Sequence, residues 1–378
     1  MTDTDGPAHG PAAGGHRRSL TVALVTPGFP PDLGGVESVV AALAGQLAGL
    51  GHRIEVLAHT RHDQPSSVST PDEGVVVRRF PDRTHTSRFE VAPALWRHLR
   101  RNADGYDVVH AHSFHVSSSL AAAVASSAPL VFTPHYHGVG HTRAARAAHV
   151  VYDVIAGRIF TSARAVICVS HAEAALVERD YPQATGKITV IPNGVHVEQL
   201  SAAHPFETER PVVLVAGRLE RYKQVDLAIR AAALLRSDAT VAIVGGGPES
   251  GALAELVREL GLSDRVHLLG RLGTDELRRW QRTASVTLCL SRHEAFGITL
   301  LEAAAAGSRV VATNIPAHLE VAASAGVDAL IVEVDTHPTV VAAAVDSSLD
   351  RPRPAPVAVP TWRDVARRTE TVLAAAAR

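Results

Sequence analysis

The chain has 378 residues, of which 46% are apolar and 20% charged, with a formal net charge of −1 at pH 7. A globular protein of about two domains is expected at this length, and the balanced charge excludes the basic surface of a nucleic-acid-binding protein. The two cysteines, Cys168 and Cys289, each lie within an apolar run, which favours reduced core thiols over a disulfide.

The first segment of the chain, residues 1–18, lacks the apolar stretch of a signal peptide. We therefore expect a flexible tail there and a cytoplasmic protein. The uncharged stretch 108–142 is interrupted by Ser, Pro and His residues, so it does not predict a membrane span.

After the tail, short apolar runs rich in β-branched residues alternate with segments of helical periodicity. Valines and leucines between residues 36 and 50 recur at i, i+3, i+4 and i+7 and predict a helix there. Apolar strands followed by crossover helices are typical of parallel sheets covered on both faces, so the predicted fold class is α/β. The predicted strands span residues 20–26, 53–59, 107–112, 129–135, 164–170, 187–193, 211–218, 239–247, 265–270, 285–291 and 309–313.

A polar segment, 198–211, interrupts this alternation and marks a domain boundary. We predict two doubly wound, Rossmann-like domains, 19–200 and 201–355. A Pro-rich segment then leads to a terminal helix within 356–378, which is expected to cross back to the first domain. Two such domains form a cleft between the carboxyl ends of their sheets, where open α/β sheets bind ligands.

Chemically informative residues follow the strands of the second predicted domain. Arg218 and Lys223 come after its first strand. A glycine turn that includes Gly245 follows the second strand, and Glu294 follows the fourth, just before a predicted helix start. Two cations beside a helix N-terminus suit a diphosphate, and a carboxylate inside that helix, Glu302, can accept hydrogen bonds from a ribose diol. Together these groups indicate a nucleotide-sugar.

Each of these groups also has a purely structural interpretation. Arg218 and Lys223 could be solvated surface cations, and the glycines around residue 245 could form a tight turn. The two glutamates could be a neighbour of a helix cap and an ion-paired core residue. Only their combination on successive strand ends favours a ligand site.

Five segments of the chain resemble, in the same order, those of the retaining glycosyltransferases of family four. They are "PPDLGGVESVVAALAGQLAGLGH", "VIPNGVH", "VAGRLERYKQVDLAI", "IVGGGPE" and "EAFGITLLEAAAAGSRVVAT". The last has glutamates eight positions apart, an E-x7-E pattern, and is most similar to that of phosphatidylinositol mannosyltransferases. The resemblance covers roughly residues 20 to 375. It implies the GT-B fold, with the acceptor held by the first domain and the nucleotide-sugar by the second.

The resemblance also implies which residues take part in the reaction. Arg218 and Lys223 match the pair that neutralises the donor diphosphate as the glycosidic bond breaks. Glu294 matches the carboxylate near the hydroxyl groups of the donor sugar, and His135 matches the active-site histidine at the cleft. These four residues are the predicted catalytic group.

Further residues are implied to hold the donor. Gly35 matches a position whose backbone N–H approaches the diphosphate, Glu302 matches the ribose binder, and Leu272 matches a position lining the base. The remaining predicted donor contacts are Gly245, Phe296, Gly297 and Ile298.

The implied activity is transfer of a hexose or amino-sugar from a UDP- or GDP-sugar to a hydroxyl of a small-molecule or lipid-linked acceptor, with retention at the anomeric carbon. Because Arg218 and Lys223 supply positive charge at the diphosphate, no metal and no other cofactor are expected. The alternatives are a membrane-surface, glycolipid-forming mannosyltransferase and a non-catalytic nucleotide-sugar-binding protein of the same fold. The sequence leaves open the base, the sugar, the acceptor, the regiochemistry and the oligomeric state.

A different enzyme class would use Glu294 and Glu302 as the acid/base pair of a glycosidase. On one helix, eight residues would separate them by about 12 Å along the axis, whereas glycosidase pairs lie about 5 to 9.5 Å apart. The spacing disfavours hydrolysis, although a position of Glu294 before the helix would shorten the gap.

Histidines around residues 110–141 could in principle form a zinc site. No Cys or carboxylate accompanies them at ligand spacing, and alternate residues of a strand point to opposite faces, so a metal is disfavoured. The Asp-Thr-Asp sequence at residues 3–5 resembles a metal-binding motif but lies in the predicted tail. The histidines in question are His110, His112, His115, His135, His137 and His141.

Residues 88–102 predict a basic amphipathic helix, which would either pack on its own sheet or lie weakly on an anionic membrane. Its apolar face would comprise Phe89, Leu95, Trp96 and Leu99, and its basic face Arg97, His98, Arg100 and Arg101.

Overall fold

The structure is a computed structural model that describes residues 18–31, 34–60, 64–82, 92–114, 117–138 and 156–378. Across these ranges the chain folds into two mostly parallel sheets, each covered by helices on both faces. The α/β class predicted from the sequence is confirmed.

The strands described for the first sheet are β1 (Thr21–Thr26), β2 (Arg53–Thr60), β3 (Ser67–Asp72), β4 (Val75–Pro81), β5 (Val108–His112), β6 (Leu130–Thr133), β7 (Ala163–Cys168) and β8 (Ile188–Val190). Their order across the sheet is β3-β4-β2-β1-β5-β6-β7-β8. Within the described residues the pairs are parallel, apart from an antiparallel hairpin of β3 and β4 at one edge.

Helices pack on both faces of this sheet, because side chains of successive strand residues point to opposite sides. In β1, Val25 faces a core built with the helices Pro93–Asn102 and Ser117–Ala125, whereas Leu24 faces a core built with the helix Gly35–Gly49. Residues 156–162 are also helical. The labelled helices of this half are α1 (Gly35–Gly49), α2 (Pro93–Asn102), α3 (Ser117–Ala125), α4 (His171–Asp180) and α5 (Val197–Ala202).

The second sheet is parallel in its described strands and has the order β11-β10-β9-β12-β13-β14. These strands are β9 (Val212–Ala216), β10 (Thr240–Val244), β11 (Val266–Gly270), β12 (Val286–Cys289), β13 (Arg309–Thr313) and β14 (Ala329–Val332). The helices of this half are α6 (Val225–Ala232), α7 (Ser250–Glu259), α8 (Thr274–Thr283), α9 (Ile298–Ala305), α10 (Pro316–Ser324) and α11 (Pro338–Leu349).

Each of the eleven strand segments predicted from the sequence overlaps a strand of the structure, and three strands within the described residues were not predicted. The missed strands are β3, β4 and β14. All six residues of β3 are exposed, so it carries no apolar run. In β4 the buried Val75, Val77 and Phe80 are separated by partly exposed residues, and β14 is a short edge strand.

The last helix, α12 (Trp362–Ala376), returns to the first sheet and packs beside α1. Trp362 and Leu373 are buried in the same cluster as the strand residues of β1. The two segments that connect the halves meet where the backbone N–H of Val195 donates to the carbonyl of Pro360 at 2.9 Å. A Cβ at Gly194 would lie 2.6 Å from the backbone of Thr361, so glycine is required for this approach.

None of the helices in the described part of the chain has the length and apolar character needed to span a bilayer. Cys168 and Cys289 are buried and unpaired.

We predict that Leu373→Ala will weaken the packing of α12 on the first half and lower the free energy of unfolding. Leu373 is fully buried, and truncation of such a leucine lowers the free energy of unfolding by about 2 to 5 kcal/mol. Urea unfolding measures this change, with Thr371→Ala, on the exposed side of the same helix, as the matched control at about 0.5 kcal/mol or less. Equal effects of the two changes would contradict this role for the helix.

Candidate functional site

A cavity opens at the carboxyl edge of the second sheet, where β9 and β12 end. Because β9 and β12 are parallel neighbours, the loops that follow them emerge side by side. The first turns of α9 and α10 complete the wall. The charged and polar side chains on it are those of Arg218, Lys223, Ser291, Glu294, Thr299 and His318.

Lys223 and Glu294 form an ion pair inside this cavity, between Nζ and Oε1. Ser291 donates its hydroxyl to the same Oε1 at 2.7 Å. Burial alone would raise the pKa of Glu294, but the charge and hydrogen bond of Lys223 and the hydrogen bond of Ser291 outweigh it, so the pKa is lowered. Burial alone would lower the pKa of Lys223, but Glu294 outweighs that effect and raises it. Both groups are therefore charged at neutral pH.

The position of Lys223 depends on an unusual local backbone. A short 3-10 turn, Arg221–Lys223, ends at Gln224, whose φ of 51° is in the left-handed region. The side chain of Gln224 is buried and donates to Asp335 at 2.7 Å, which fixes this strained residue. The ring of Tyr222 lies beside the lysine, 5.3 Å from Nζ.

Glycines bring the β9 and β10 loops into close contact. Gly245 has a φ of +139°, and a Cβ there would lie 1.8 Å from the carbonyl oxygen of Gly217, which is on the cavity wall. Gly297 has a φ of +98° and immediately precedes α9, where a Cβ would lie 3.0 Å from the ring of His318. Residues 245 and 297 are thus confined to glycine by conformation and by space.

Arg218 lies at the rim of the cavity. Its side chain is 58% exposed and its guanidinium contacts Glu220 at 2.8 Å. An exposed pair of this kind contributes little to stability, so the guanidinium can turn towards a ligand at little cost.

Glu302 lies inside α9, whereas Glu294 precedes this helix, which begins at Ile298. The spacing calculated for two glutamates on one helix therefore does not apply. Glu302 is not among the described residues that line the cavity, and its carboxylate accepts a hydrogen bond from Gln281 at 2.9 Å. Burial raises the pKa of Glu302 to about 7, although the hydrogen bond from Gln281 and the charge of Arg278 act in the opposite direction.

Three predicted donor residues have mainly packing contacts. Phe296 is buried in the core cluster of α9 with Leu300. Leu272 is partly buried beside the β9–β10 core. Ile298 lines the cavity and also packs against the core of the first half, so it lies between the two sheets.

On the first half, His135 lies just after β6 with a φ of 51°, a strained value for a residue with a side chain. Its Nε2 is 3.4 Å from Nδ1 of His112, and the ring of His110 packs on that of His112 at 4.1 Å. Burial lowers the pKa of His135 to about 4 and, with the charge of His135, that of His110 to about 3. These rings are neutral at neutral pH.

Gly35 begins α1, with open space where a Cβ would lie.

Within the described ranges, no three His, Cys, Asp or Glu residues come together as a set that could hold a metal ion. Of the histidines considered from the sequence, His115 and His141 lie outside these ranges, as do the Asp-Thr-Asp sequence and the predicted tail up to residue 17.

The amphipathic helix predicted over 88–102 is present as α2, which begins at Pro93. Leu95 and Leu99 are fully buried, and Trp96 packs against the same core. The apolar face of α2 therefore contacts its own sheet, while Phe89 lies outside the described residues. Contact of the basic face with a membrane surface stays a prediction.

His318 is a cavity residue that the sequence analysis missed. It lies in the first turn of α10, and its Nδ1 is 3.1 Å from the hydroxyl and 3.3 Å from the carbonyl oxygen of Thr313. Burial lowers the pKa of His318 despite the opposing charge of Glu294. Because α10 follows β13, a search of every loop at the carboxyl ends of the strands would have found it.

Two family models match consecutive parts of the chain. The model "Glycosyltransferase Family 4" matches residues 33–199, and the model "Glycosyl transferases group 1" matches residues 196–357. Together they cover residues 33–357, which include strands of both sheets.

Known proteins resemble the chain over most of its length. A D-inositol 3-phosphate glycosyltransferase of Catenulispora acidiphila is 29% identical, with 83% of this chain and 82% of that protein covered. A GDP-mannose:cellobiosyl-diphosphopolyprenol alpha-mannosyltransferase of Xanthomonas oryzae is 30% identical, with 81% and 82% covered.

Among solved structures, sucrose-phosphate synthase of Thermosynechococcus elongatus superposes with a TM-score of 0.73 at 20% identity, covering 95% of this chain and 94% of that one. Anabaena HepE in complex with UDP gives a TM-score of 0.67 at 18% identity, covering 95% and 97%. These superpositions confirm the predicted GT-B fold.

We predict that Glu302→Gln will remove part of the pH dependence of stability. Glu302 has an ordinary pKa near 4.5 when unfolded and about 7 when folded. The folded state therefore binds the proton more tightly than the unfolded state. The free energy of unfolding falls as the pH rises from 4.5 to about 7, by about 1.4 kcal/mol per unit of pKa shift.

Glutamine stays neutral, so the variant should lose less stability than the wild type between pH 5 and 8 in urea unfolding. Glu255→Gln, in an exposed pair with Arg258, is the control. Parallel pH profiles for wild type and Glu302→Gln would refute the raised pKa.

Proposed function

The chain belongs to glycosyltransferase family 4, and on that basis we propose a retaining, metal-independent transfer reaction. A hexose or amino-sugar passes from a UDP- or GDP-sugar to a hydroxyl group of a small-molecule or lipid-linked acceptor. The single observation that carries this proposal is the convergence of Arg218, Lys223 and Glu294 on one cavity beside the N-terminus of α9.

In the proposed complex, the donor diphosphate lies between Arg218 and Lys223. Lys223 is held in a largely buried pair with Glu294, whereas Arg218 contacts Glu220 in an exposed pair, so Arg218 is the cation that can turn from its partner towards the anion. Backbone N–H groups in the first turn of α9 are further donors for phosphate oxygens. Gly35 and Gly245 allow close approach, Glu302 binds the ribose, and Leu272 lines the base.

The chemical step exchanges one bond for another on the same face of the sugar. The bond from the anomeric carbon to the phosphate oxygen breaks, and a bond from that carbon to the acceptor oxygen forms. The acceptor proton passes to the departing phosphate oxygen, so Glu294 does not need to take it. Arg218 and Lys223 stabilise the charge that grows on the diphosphate. Glu294, kept ionised by Lys223, accepts hydrogen bonds from sugar hydroxyl groups.

In this proposal the acceptor binds to the first half of the protein. Burial keeps His135 neutral, and its Nε2 already lies 3.4 Å from His112, so its Nδ1 can donate to or accept from a hydroxyl group according to the tautomer. The names of the two relatives specify an inositol phosphate and a polyprenol-linked disaccharide. They therefore support both a small polar acceptor and a lipid-linked one.

The proposal predicts nucleotide binding and a strong effect of the two cations. At 100 times the dissociation constant, UDP or GDP should stabilise the wild type by about 2.7 kcal/mol in thermal-shift experiments. Lys223→Ala and Arg218→Ala should each lower the turnover of UDP-glucose or GDP-mannose by about two to three decades. Lys223→Arg should not restore it, because the planar guanidinium does not fit the place of a compact ammonium.

Arg258→Ala, which removes an exposed cation on α7, is the control and should behave as wild type. Absence of a thermal shift with both nucleotides would overturn the donor assignment. Nucleotide binding without donor turnover would instead favour the non-catalytic binding protein.

A second prediction concerns metal. Since Arg218 and Lys223 provide the positive charge at the diphosphate, turnover should be unchanged after dialysis against EDTA. Loss of turnover that one added divalent ion restores would contradict metal independence. The control is a metal-dependent enzyme treated in the same way.

A further inference from the structure

The loop that carries Glu294 touches the first half of the protein on both sides of this residue. The preceding residue, His293, stacks its ring on that of His137 with centroids 4.5 Å apart. The carbonyl of the following residue, Ala295, accepts a hydrogen bond from the hydroxyl of Ser170 at 2.6 Å. Glu294 itself turns back to Lys223. Its position thus depends on contacts that its neighbours make with the other half.

The second of these contacts lies at the N-terminus of α4, where Ser170 is the cap residue. The first N–H groups of a helix have no partner within the helix. The third, that of Glu173, donates to the side chain of Ser170 at 2.9 Å. The first two, those of His171 and Ala172, donate at 2.7 and 2.8 Å to the two carboxylate oxygens of Glu320. Glu320 belongs to α10 in the second half, so this helix end is completed from across the cleft.

The same turn of α4 also holds the loop of His135. The buried carboxylate of Glu173 accepts hydrogen bonds from the backbone N–H groups of Tyr136 and Val169. Tyr136 directly follows His135 in the chain and precedes His137. One short segment, Ser170–Glu173, therefore binds the histidine loop of the first half and, through Ser170, the glutamate loop of the second. Glu320 binds the same helix end from α10.

We propose that Glu320 is a positioning residue for sugar transfer. By binding the N-terminus of α4, it sets the distance between the His135 loop and the Glu294 loop without touching either substrate. This inference rests on the roles proposed above for His135 and Glu294. A negative carboxylate is suited to the task, because it accepts from two N–H groups at the positive end of the helix dipole.

The proposal separates binding of the nucleotide from turnover. The described residues that line the cavity with Arg218 and Lys223 belong to the second half. The first half contributes to the proposed nucleotide contacts only a backbone N–H group at Gly35, so nucleotide affinity should depend mainly on the second half. Turnover requires both loops in register, and a displacement of about 1 Å can cost up to a hundredfold in rate. Loss of the contact should therefore lower turnover and leave UDP or GDP affinity unchanged.

Glu320→Gln is the test variant, because an amide has the same shape but only one acceptor oxygen and no charge. Asp346→Asn is a matched control. Like the partly exposed Glu320, the buried Asp346 accepts from two backbone N–H groups, here those of Arg236 and Ser237 at 3.0 and 3.1 Å, within the second half. Its loss should lower stability without changing turnover.

We expect Glu320→Gln to lower the turnover of UDP-glucose or GDP-mannose about ten- to hundredfold. UDP and GDP affinities should be unchanged, and Glu320→Asp should recover part of the rate. In hydrogen exchange followed by mass spectrometry, the peptide containing residues 171 and 172 should exchange faster in Glu320→Gln, but not in Asp346→Asn.

Wild-type turnover in Glu320→Gln, or equal losses in the two variants, would overturn the proposal. Unchanged protection of residues 171 and 172 would overturn it independently of any activity. If the wild type bound neither nucleotide, the proposed function would fail, and the exchange experiment would still decide whether Glu320 joins the halves.

Discussion

The ion pair of Lys223 and Glu294 constrains the whole carboxyl edge of the second sheet. Each side chain is about four-fifths buried, and an uncompensated charge at such a depth costs several kcal/mol. The 3-10 turn before Gln224 places Lys223 beside Glu294, and the hydroxyl of Ser291 donates a further hydrogen bond to Glu294. Neither residue can change alone, because removal of one leaves the other buried and unpaired. Arg218 has only an exposed ion pair with Glu220, so its side chain is free to move. Lys223, in contrast, is held in place by Glu294.

The two halves are joined by contacts of two different kinds. The contact of α12 with the first sheet includes an apolar cluster that buries Trp362 and Leu373, so separating it would expose hydrophobic surface to water. The contact of Glu320 with α4 consists of hydrogen bonds that water can replace when it opens. A molecule with this arrangement can keep its two sheets tethered through α12 while the cleft between them opens and closes. The polar contact is thus the one suited to a catalytic cycle.

The sequence predicts well those features that depend on local patterns. Apolar runs predict strands such as β1 and β9 because a parallel sheet buries both faces. It fails for β3, because an exposed edge strand has no such pattern. Glu294 lies before α9 because Gly297, with its positive φ, ends the preceding loop and allows the helix to begin at Ile298. The contact between His318 and Gly297, and that between Glu320 and α4, join residues far apart in sequence. No periodicity encodes them, so they emerge only when both sheets are assembled.

The three glutamates near the cleft show how environment divides one residue type into different roles. Glu294 is ionised because Lys223 compensates its burial, whereas burial without a cation in direct contact raises the pKa of Glu302 to about 7 and that of Glu173 to about 8. A glycosidase needs a protonated acid and an ionised carboxylate on opposite sides of one bond. Glu302 has the pKa of such an acid, but it is not among the described residues that line the cavity with Glu294. The separate locations of Glu294 and Glu302 therefore argue against an acid/base pair. The ion pair of Glu294 with Lys223 instead favours a carboxylate that binds hydroxyl groups beside a cation that stabilises a leaving diphosphate.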